Sequence, residues 1–510
     1  MHYQFEDRAL YPALREIWQY SEPQPVEPRV FDLIHYLVRN RDRIVSKEEL
    51  VLIIWEGRAI SDTTLTSAVK AARRVLGDNG KTQSQIRTLH GTGFRFVGAV
   101  EEVPVERPAL AAPVASAVAG PSVGVLPFAH LGEDQSLGLA RGVTQDITVG
   151  LARTRWLAVS ATRNSPWLED AGLDALEAGR RLGVGYLLRG SVTQVGQRFH
   201  LSVMLSDVTA RTEVWGNTFD RAGDDLIGLQ HDVAGVVSAA VEAEIDQRER
   251  RRAIRVPVRK MDARSAYHRA SDLLYRFAPE SFAEIEDLLD RAAQSDPDFA
   301  RIPAAQSFLY WQRAFFHAGA DREGDIARAM DFAWQSVEGD SQDPQGHWAL
   351  GRAAILAEDR EGAIEALNRA VACNPNFANG HYSLALAKLV AGDHAGGMAH
   401  VERALALSPN DPMCFAFVAL RAMQQSFDGA HDAAVEAARR AARQRHAHLY
   451  VQGMAAWIHQ RAGQEEAARV YASALRRDHP WFTRETFFSS FPVQGAHREM
   501  VDKALAAVGF

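Results

Sequence analysis

The stretch SDTTLTSAVKAARRVLGD, residues 61–78, decides how the chain begins to fold, together with QIRTLHGTGFRFV, residues 85–97. Ser61 or Asp62 is a favoured N-cap, and Gly77-Asp78 stops the helix that follows. At about 100° per residue from Thr63, Leu65, Ala68, Val69, Ala72, Val75 and Leu76 share one arc of roughly 120–240°. Thr63, Thr66, Ser67, Lys70, Arg73 and Arg74 fill the opposite side, from roughly 280° through to 40°. One face is core. The other carries hydroxyls and cations and no carboxylate, the groups that donate to phosphates and to the acceptor edge of guanine. In the second stretch two strand-like runs flank His90-Gly-Thr-Gly93, which reads as a β-hairpin. From Ile60 to Gly98 six cations (Lys70, Arg73, Arg74, Lys81, Arg87, Arg95) stand against Asp62 and Asp78, a balance of +4.

Two helices precede this pair. Pro28 opens one over residues 29–38, because a proline at the first helical position forfeits no needed N–H. Ser46-Lys-Glu-Glu49 is a capping box that starts another through Trp55, ended by Gly57. Helix, helix, basic helix and closing hairpin resemble the winged helix-turn-helix effector domain of the OmpR/PhoB type. The matching segments are Glu49-Leu50 with Ile54-Trp55, then Ala72-Arg73-Arg74-Val75-Leu76-Gly77-Asp78, then Ile86-Arg87-Thr88 with Gly91-Thr92-Gly93-Phe94-Arg95-Phe96. Ala72 stands where that family usually has leucine, and Phe94 where it often has tyrosine. By position, the resemblance implies DNA contacts from Thr63, Thr66, Ser67, Lys70, Arg73 and Arg74 on the recognition helix. It implies wing contacts from Thr88, His90 and Arg95. Relatives of this kind often carry a phospho-receiver domain first. Here the winged helix comes first, so control is expected from the other domains or from a partner.

The whole chain has 510 residues and a formal charge of −7, from 57 Lys/Arg and 64 Asp/Glu. That composition excludes a wholly disordered, collagen-like or disulfide-stapled chain. Residues 1–100 hold fourteen basic and twelve acidic side chains, so the acidity lies in the remainder and does not exclude nucleic acid. Cys373 and Cys414 form no CxxC and read as small apolar side chains. The N-terminus carries acids and no apolar core, unlike a signal peptide. Residues 101–122, interrupted by Pro104, Pro108, Pro113 and Pro121, read as a linker rather than a membrane span. The expected setting is the bacterial cytoplasm, with no membrane contact.

Residues 123–250 alternate short β-rich runs with helices. Strands are expected at 123–128, 156–160, 186–192, 199–205 and 214–219, and helices at 138–151, 173–182 and 225–245, an α/β layer domain. The phrases VGVLPF, GVTQDI, YLLRGSV and VWGNTFDR resemble the TolB amino-terminal-like domain, which implies binding or docking rather than a reaction. Asp146, Asp207 and Asp220 read as cap or turn residues. No third glycine completes a dinucleotide fingerprint, and GxSxG, HExxH and a P-loop are missing, so no catalytic residue, metal or cofactor is expected. The charged run Asp246–Arg252 reads as a solvated helix end closing this domain.

Residues 262–510 are helical and periodic. A polar residue before proline recurs at Pro297, Pro344, Pro375, Pro409 and Pro480. Pro375 to Pro409 is 34 residues, the tetratricopeptide period, whereas Pro297 to Pro344 is 47 and needs an insertion. Small and large positions recur in phase: Gly351, Ala363, Leu367 and Ala370, then Ala385, Gly397, Val401 and Ala404, then Ala456, Ala468, Ala472 and Leu475. The pattern resembles tetratricopeptide repeats, about six of them. Such stacks form a concave surface. By repeat position Trp348, Arg352, Asn379, Tyr382 and Trp457 would face it and bind a protein or peptide partner. His446, His448 and His459 read as surface histidines rather than metal ligands.

The expected architecture is therefore multidomain: an N-terminal winged helix-turn-helix (α+β, 1–100), a linker (101–122), a central α/β domain (123–250) and a C-terminal all-α tetratricopeptide solenoid (262–510). The expected function is that of a transcription regulator in signal transduction, akin to phosphorelay output proteins, binding double-stranded DNA and sensing or recruiting a protein. DNA sites that come as repeats would match a homodimer. The rival expectation is an adaptor whose winged helix docks protein.

Overall fold

The computed structural model describes residues 2–5, 7–12, 15–19, 22–24, 26–55, 61–78, 80–89, 91–103, 120–130, 135–160, 175–195, 198–222 and 226–510. They form two compact units, residues 1–114 and 115–510. His90 and residues 104–119 of the expected linker lie outside the described residues.

The first unit opens on strands β1 (His2–Phe5), β2 (Arg8–Tyr11), β3 (Glu16–Gln19) and β4 (Glu22–Gln24). Helix α1 (Pro28–Arg39), strand β5 (Val45–Ser46), helix α2 (Lys47–Ile54) and helix α3 (Asp62–Val75) follow. Strands β6 (Ile86–Leu89) and β7 (Gly93–Phe96) make the hairpin, and β8 (Glu101–Val103) returns to pair with β1. One antiparallel sheet runs β4-β3-β2-β1-β8 and a smaller one β5-β7-β6. The four opening strands carry no signal long enough to be expected from sequence, since each has four residues or fewer. Residues 101–103 leave the expected linker to extend this sheet. Phe5, Leu10 and Ile17 from the large sheet bury against Phe31, Ile34, Leu37 and Val38 of α1, Leu65, Val69 and Leu76 of α3, and Ile86, Phe94 and Phe96 of the hairpin. Gly93 has φ +153°, and a Cβ there would lie 2.1 Å from the Val45 carbonyl oxygen, so no other residue lets β5 close on β7 this tightly.

The second unit begins with β9 (Ser122–Val125), β10 (Ala129–His130), α4 (Gln135–Ala152), β11 (Ala158–Ser160), α5 (Ala175–Leu182), β12 (Tyr186–Val195), β13 (Arg198–Asp207), β14 (Thr212–Ala222) and α6 (Leu226–Arg255). Its sheet runs β11-β9-β12-β13-β14, with β10 also pairing β12. The first three strands are parallel, and β12, β13 and β14 are antiparallel. Val143, Ile147 and Leu151 of α4 and Val237, Val241 and Ile245 of α6 cover one face. Ala178 of α5 packs with Leu187 and Val208 in a smaller core.

Helix α6 corrects one expectation. It runs for 30 residues, and the charged run Asp246–Arg252 lies inside it rather than at a solvated end. Arg250 is buried and pairs with Asp246 at 3.0 Å. Charges within reach of each other allow a helix to continue through a run that would otherwise need water.

Seven helix pairs follow: α7 (Ala263–Leu274) and α8 (Phe282–Ser295), α9 (Arg301–Phe315) and α10 (Arg322–Gly339), α11 (Pro344–Leu356) and α12 (Arg360–Cys373), α13 (Ala378–Ala391) and α14 (His394–Leu407), α15 (Cys414–Phe427) and α16 (His431–Ala442), α17 (Leu449–Arg461) and α18 (Glu465–Asp478), and α19 (Arg484–Ser490) and α20 (Gly495–Ala507). This is a tetratricopeptide solenoid. Gly351 lies so near α12 that a Cβ would sit 2.4 Å from Leu367. The insertion required by the 47-residue spacing lies only partly in the helices, since α9 and α10 have 15 and 18 residues against 13 and 14 in α11 and α12; the larger part lies in the connections around them. Three outer helices share a cap unnoticed in the sequence: Asp321, Asp359 and Asp393 each accept a bond from the backbone N–H three residues on, at Gly324, Gly362 and Gly396.

The solenoid coils tightly enough for its first repeats to meet its last. Tyr450 and Ser490 hydroxyls both donate to the Phe315 carbonyl at 2.8 Å, and Arg322 donates to the Ser489 carbonyl at 2.7 Å. Phe277 lies 5.5 Å from Phe415 and 5.6 Å from His448, ring to ring. The concave side is thus packed with aromatic rings. Trp348, Arg352, Asn379, Tyr382 and Trp457, expected to line an open partner surface, are buried. Two of the three histidines expected at the surface are drawn in: His459 is buried against Tyr471, and His448 sits among Phe315, Phe316 and Phe415. Among the described residues no helix is long and apolar enough to cross a membrane.

Candidate nucleic-acid interface

Helix α3 is held at its start by Ser61, whose hydroxyl accepts from the Thr64 N–H at 3.3 Å. Thr63 also contacts the Ser61 hydroxyl, at 2.6 Å. Leu65, Val69, Ala72 and Leu76 anchor the inner face, which leaves Thr63, Thr66, Ser67, Lys70 and Arg74 exposed. Arg74 and Lys70 make no hydrogen bond or ion pair among the described residues, so their charge stands free at the surface.

Arg73 takes a different path. Its side chain is 12% exposed and its guanidinium donates to the Ile86 carbonyl at 2.9 Å and to the Thr88 hydroxyl at 2.8 Å. Asp78, with its side chain fully enclosed, lies 3.9 Å away. That carboxylate accepts from the backbone N–H groups of Ser84, Gln85 and Ile86 at 3.0, 3.1 and 2.9 Å. Arg73 and Asp78 together bolt the end of α3 to the hairpin. Arg73 and Thr88, both expected at DNA, are bonded to each other within the domain, and both also line the cleft between α3 and the hairpin.

The hairpin alternates faces. Thr88 turns toward α3, whereas Arg87 and Arg95 are exposed and directly opposite in register. Like charges facing across an antiparallel pair repel, unless an anion lies over them. Arg95 also donates to the Arg41 carbonyl at 3.0 Å. Arg87 counted toward the basic balance in the sequence but not among the contacts. Its signal was the hairpin register, which pairs it with Arg95. Between α3 and the hairpin lies a cleft of about 770 Å³ whose lining includes Lys47, Thr66, Lys70, Arg74 and Gly91. Beneath it, Glu49 at the start of α2 accepts from Arg43 at 2.5 Å and from the Tyr36 hydroxyl at 2.7 Å. The Arg43 bond, then the Tyr36 bond, holds the Glu49 carboxyl down to about 2, so this tie between α1 and α2 persists across the physiological range.

Residues 21–96 match the family described as "Transcriptional regulatory protein, C terminal". The first unit carries an OmpR/PhoB-type winged helix. Relatives of the chain fall in more than one class. It is 27% identical to the putative adenylate cyclase 3 of Rhizobium meliloti, over 46% of this chain and 40% of that protein. It is 22% identical to the transcriptional regulator HilA of Salmonella typhimurium, over 64% of this chain and 56% of HilA. Its likeness to the phosphate regulon transcriptional regulatory protein PhoB of Escherichia coli is 27%, over 17% of this chain and 38% of PhoB. The chain thus spans about half or less of each of these relatives. Among solved structures it resembles a tetratricopeptide repeat protein from Parabacteroides merdae at 13% identity, covering 48% of this chain and 98% of that one, with a TM-score of 0.29.

Proposed function

We propose that the chain is a sequence-specific DNA-binding transcription regulator. The observation that carries this reading is the outward face of α3, where Thr63, Thr66, Ser67, Lys70 and Arg74 stand exposed beside a cation-lined cleft. In this reading α3 enters the major groove, as recognition helices of helix-turn-helix proteins do. Lys70, Arg74, Arg87 and Arg95 neutralise phosphates, while Thr66 and Ser67 reach base edges. Arg73 and Thr88 set the angle between helix and wing rather than touching DNA. His90 is kept as a wing contact by its place in the sequence alone.

The second unit then serves as a binding and sensing body, not as an enzyme. The chain lacks the catalytic motifs sought in its sequence, and incubation with ATP should yield no cyclic nucleotide above background. Protein or peptide partners would meet the outside of the solenoid, because its concave side is filled by its own rings. The deciding experiment selects bound genomic fragments with the full chain and then titrates the best of them against salt. With four phosphates neutralised, log K should fall with log salt at a slope of about −3.6. An affinity indifferent to salt would overturn the phosphate contacts and favour the docking of protein by the winged helix.

A further inference from the structure

A cavity of about 280 Å³ lies within the second unit, bounded by α6, β14, α7, α9 and the turn before α15. Its polar lining includes Glu242, Asp246, Arg250, Arg301, Asn379 and Asp411. Trp156, Tyr275 and Phe308 supply apolar wall. A cavity lined this way, with mixed charge inside a protein, has to balance its own electrostatics.

The two cations each have a carboxylate already. Arg301 holds Asp343 through two bonds, at 2.7 and 3.1 Å. Arg250 holds Asp246 at 3.0 Å through one guanidinium edge. Glu242 and Asp411 feel the Arg301 and Arg250 charges respectively but lie in no close pair with them among the described residues. Glu242 accepts from the Thr154 hydroxyl at 2.9 Å and the Trp156 indole at 3.3 Å, and makes no ion pair among the described residues. Asp411 accepts from the Met413 N–H at 2.8 Å and likewise has no ion pair among them. Burial pushes both carboxyls up, Asp411 to about 6.

Two further groups lack partners. Arg250 is 6% exposed and its Nε finds no acceptor, and Asn379 is 8% exposed with its Oδ1 finding no donor. Buried polar atoms in native folds are nearly always bonded, so an unpartnered donor and an unpartnered acceptor in one cavity ask for a molecule that offers both. A plain cation would answer Glu242, Asp411 and the Asn379 carbonyl and leave the Arg250 edge bare. A plain anion would do the reverse.

We propose that this cavity binds a small zwitterion of the amino-acid class, its ammonium group held by Glu242, Asp411 and the Asn379 carbonyl and its carboxylate by the free edge of Arg250. Its volume holds a compact molecule of that kind, and its aromatic wall suits a short carbon frame. Because α6 belongs to the α/β layer and Arg301, Asn379 and Asp411 belong to the repeats, such a ligand clasps the two together. It would supply the signal that the second unit senses.

Calorimetric titration of the full chain tests this directly, with 4-aminobutyrate and L-leucine as zwitterions and butylamine and butyrate as the two halves. One of the zwitterions should bind saturably at one site per chain, and each half at least tenfold more weakly. Glu242→Gln and Asp411→Asn keep the shape and the hydrogen-bond acceptors, and each should weaken the zwitterion at least tenfold with an unchanged circular dichroism spectrum. Should either variant misfold, Asn379→Asp, which adds a carboxylate at the acceptor position, should change the affinity instead. The proposal is overturned if neither zwitterion binds, if butylamine or butyrate alone binds as tightly, or if the variants bind as the parent does. The readout does not involve DNA, so a failure here leaves the DNA-binding reading standing and a failure there leaves this one.

Discussion

Arg73 and Arg74 are neighbours in sequence with opposite surroundings. Arg74 is exposed and unpaired, so Arg74→Ala should weaken DNA binding, reduce the magnitude of the salt slope by about one and shift stability by less than about 0.5 kcal/mol. Arg73→Ala removes donors from the Ile86 carbonyl and from Thr88 and takes the guanidinium away from Asp78. It should cost about 1–3 kcal/mol in denaturant titration. A double alanine variant would mix the two effects, so the singles are the informative pair. His448 offers a second residue-scale test. Burial, then the nearby Arg352 charge, pushes its imidazole down to about 3, so the folded chain holds it neutral while the unfolded chain protonates it near 6.5. Stability from this group is full above pH 6.5 and is lost as pH falls toward 3, by about 2 kcal/mol at pH 5. His448→Phe, which matches its aromatic surroundings, should flatten the difference in unfolding free energy between pH 7.5 and pH 5 by that amount.

At the scale of elements, the Asp-x-x-Gly caps of α10, α12 and α14 have one physical logic. The aspartate closes the first turn on the N–H of the glycine, and a Cβ on that glycine would press to within 2.2–2.3 Å of the carboxylate. Asp359→Ala should lower the stability of the repeat unit by about 1 kcal/mol in thermal or denaturant unfolding. These caps would have phased the repeats more sharply than the prolines, which mark only the turns between repeats. The helices of the first unit were legible from an opening proline and apolar face in α1, the Ser46 cap of α2, and a cap, a stop and a one-sided apolar pattern in α3. Its opening strands were not, since three- and four-residue strands are stabilised by pairing with distant partners that local sequence does not contain. The exposed face of hydroxyls and cations was legible from α3 alone, but the bond from Arg73 to the Ile86 carbonyl was not, because it depends on where that carbonyl lies in three dimensions. The inward faces of α11, α13 and α17 were misread for the same reason: a repeat pattern specifies how neighbours stack and not how far the whole superhelix winds.

For the whole molecule, α6 is the piece that ties the α/β layer to the repeats. Trp156 before β11 lies under the Arg301 guanidinium, 5.6 Å from it, and Arg301 in turn grips Asp343. Arg403 of α14 also reaches Asp232 of α6 at 3.4 Å. Residues 115–510 should therefore unfold as one cooperative body, and a substitution at the seam should lower the melting of sheet and solenoid together. Arg301→Ala leaves Asp343 buried without its cation, which should cost about 3–5 kcal/mol. Calorimetry and far-ultraviolet circular dichroism should show one displaced transition for this unit. Two separated transitions within it would mean that α6 does not couple them.

Open solenoids can gain or lose a repeat because each unit touches only the next. Here the carbonyl of Phe315 is claimed by hydroxyls 135 and 175 residues farther along the chain. Those bonds turn a linear array into something nearer a ring, whose circumference is set by its number of members. Splicing in one idealised repeat, harmless in an open array, would carry Tyr450 and Ser490 past their acceptor. The repeat count of this chain is thus fixed by closure, and evolution is left to vary what each repeat displays outward.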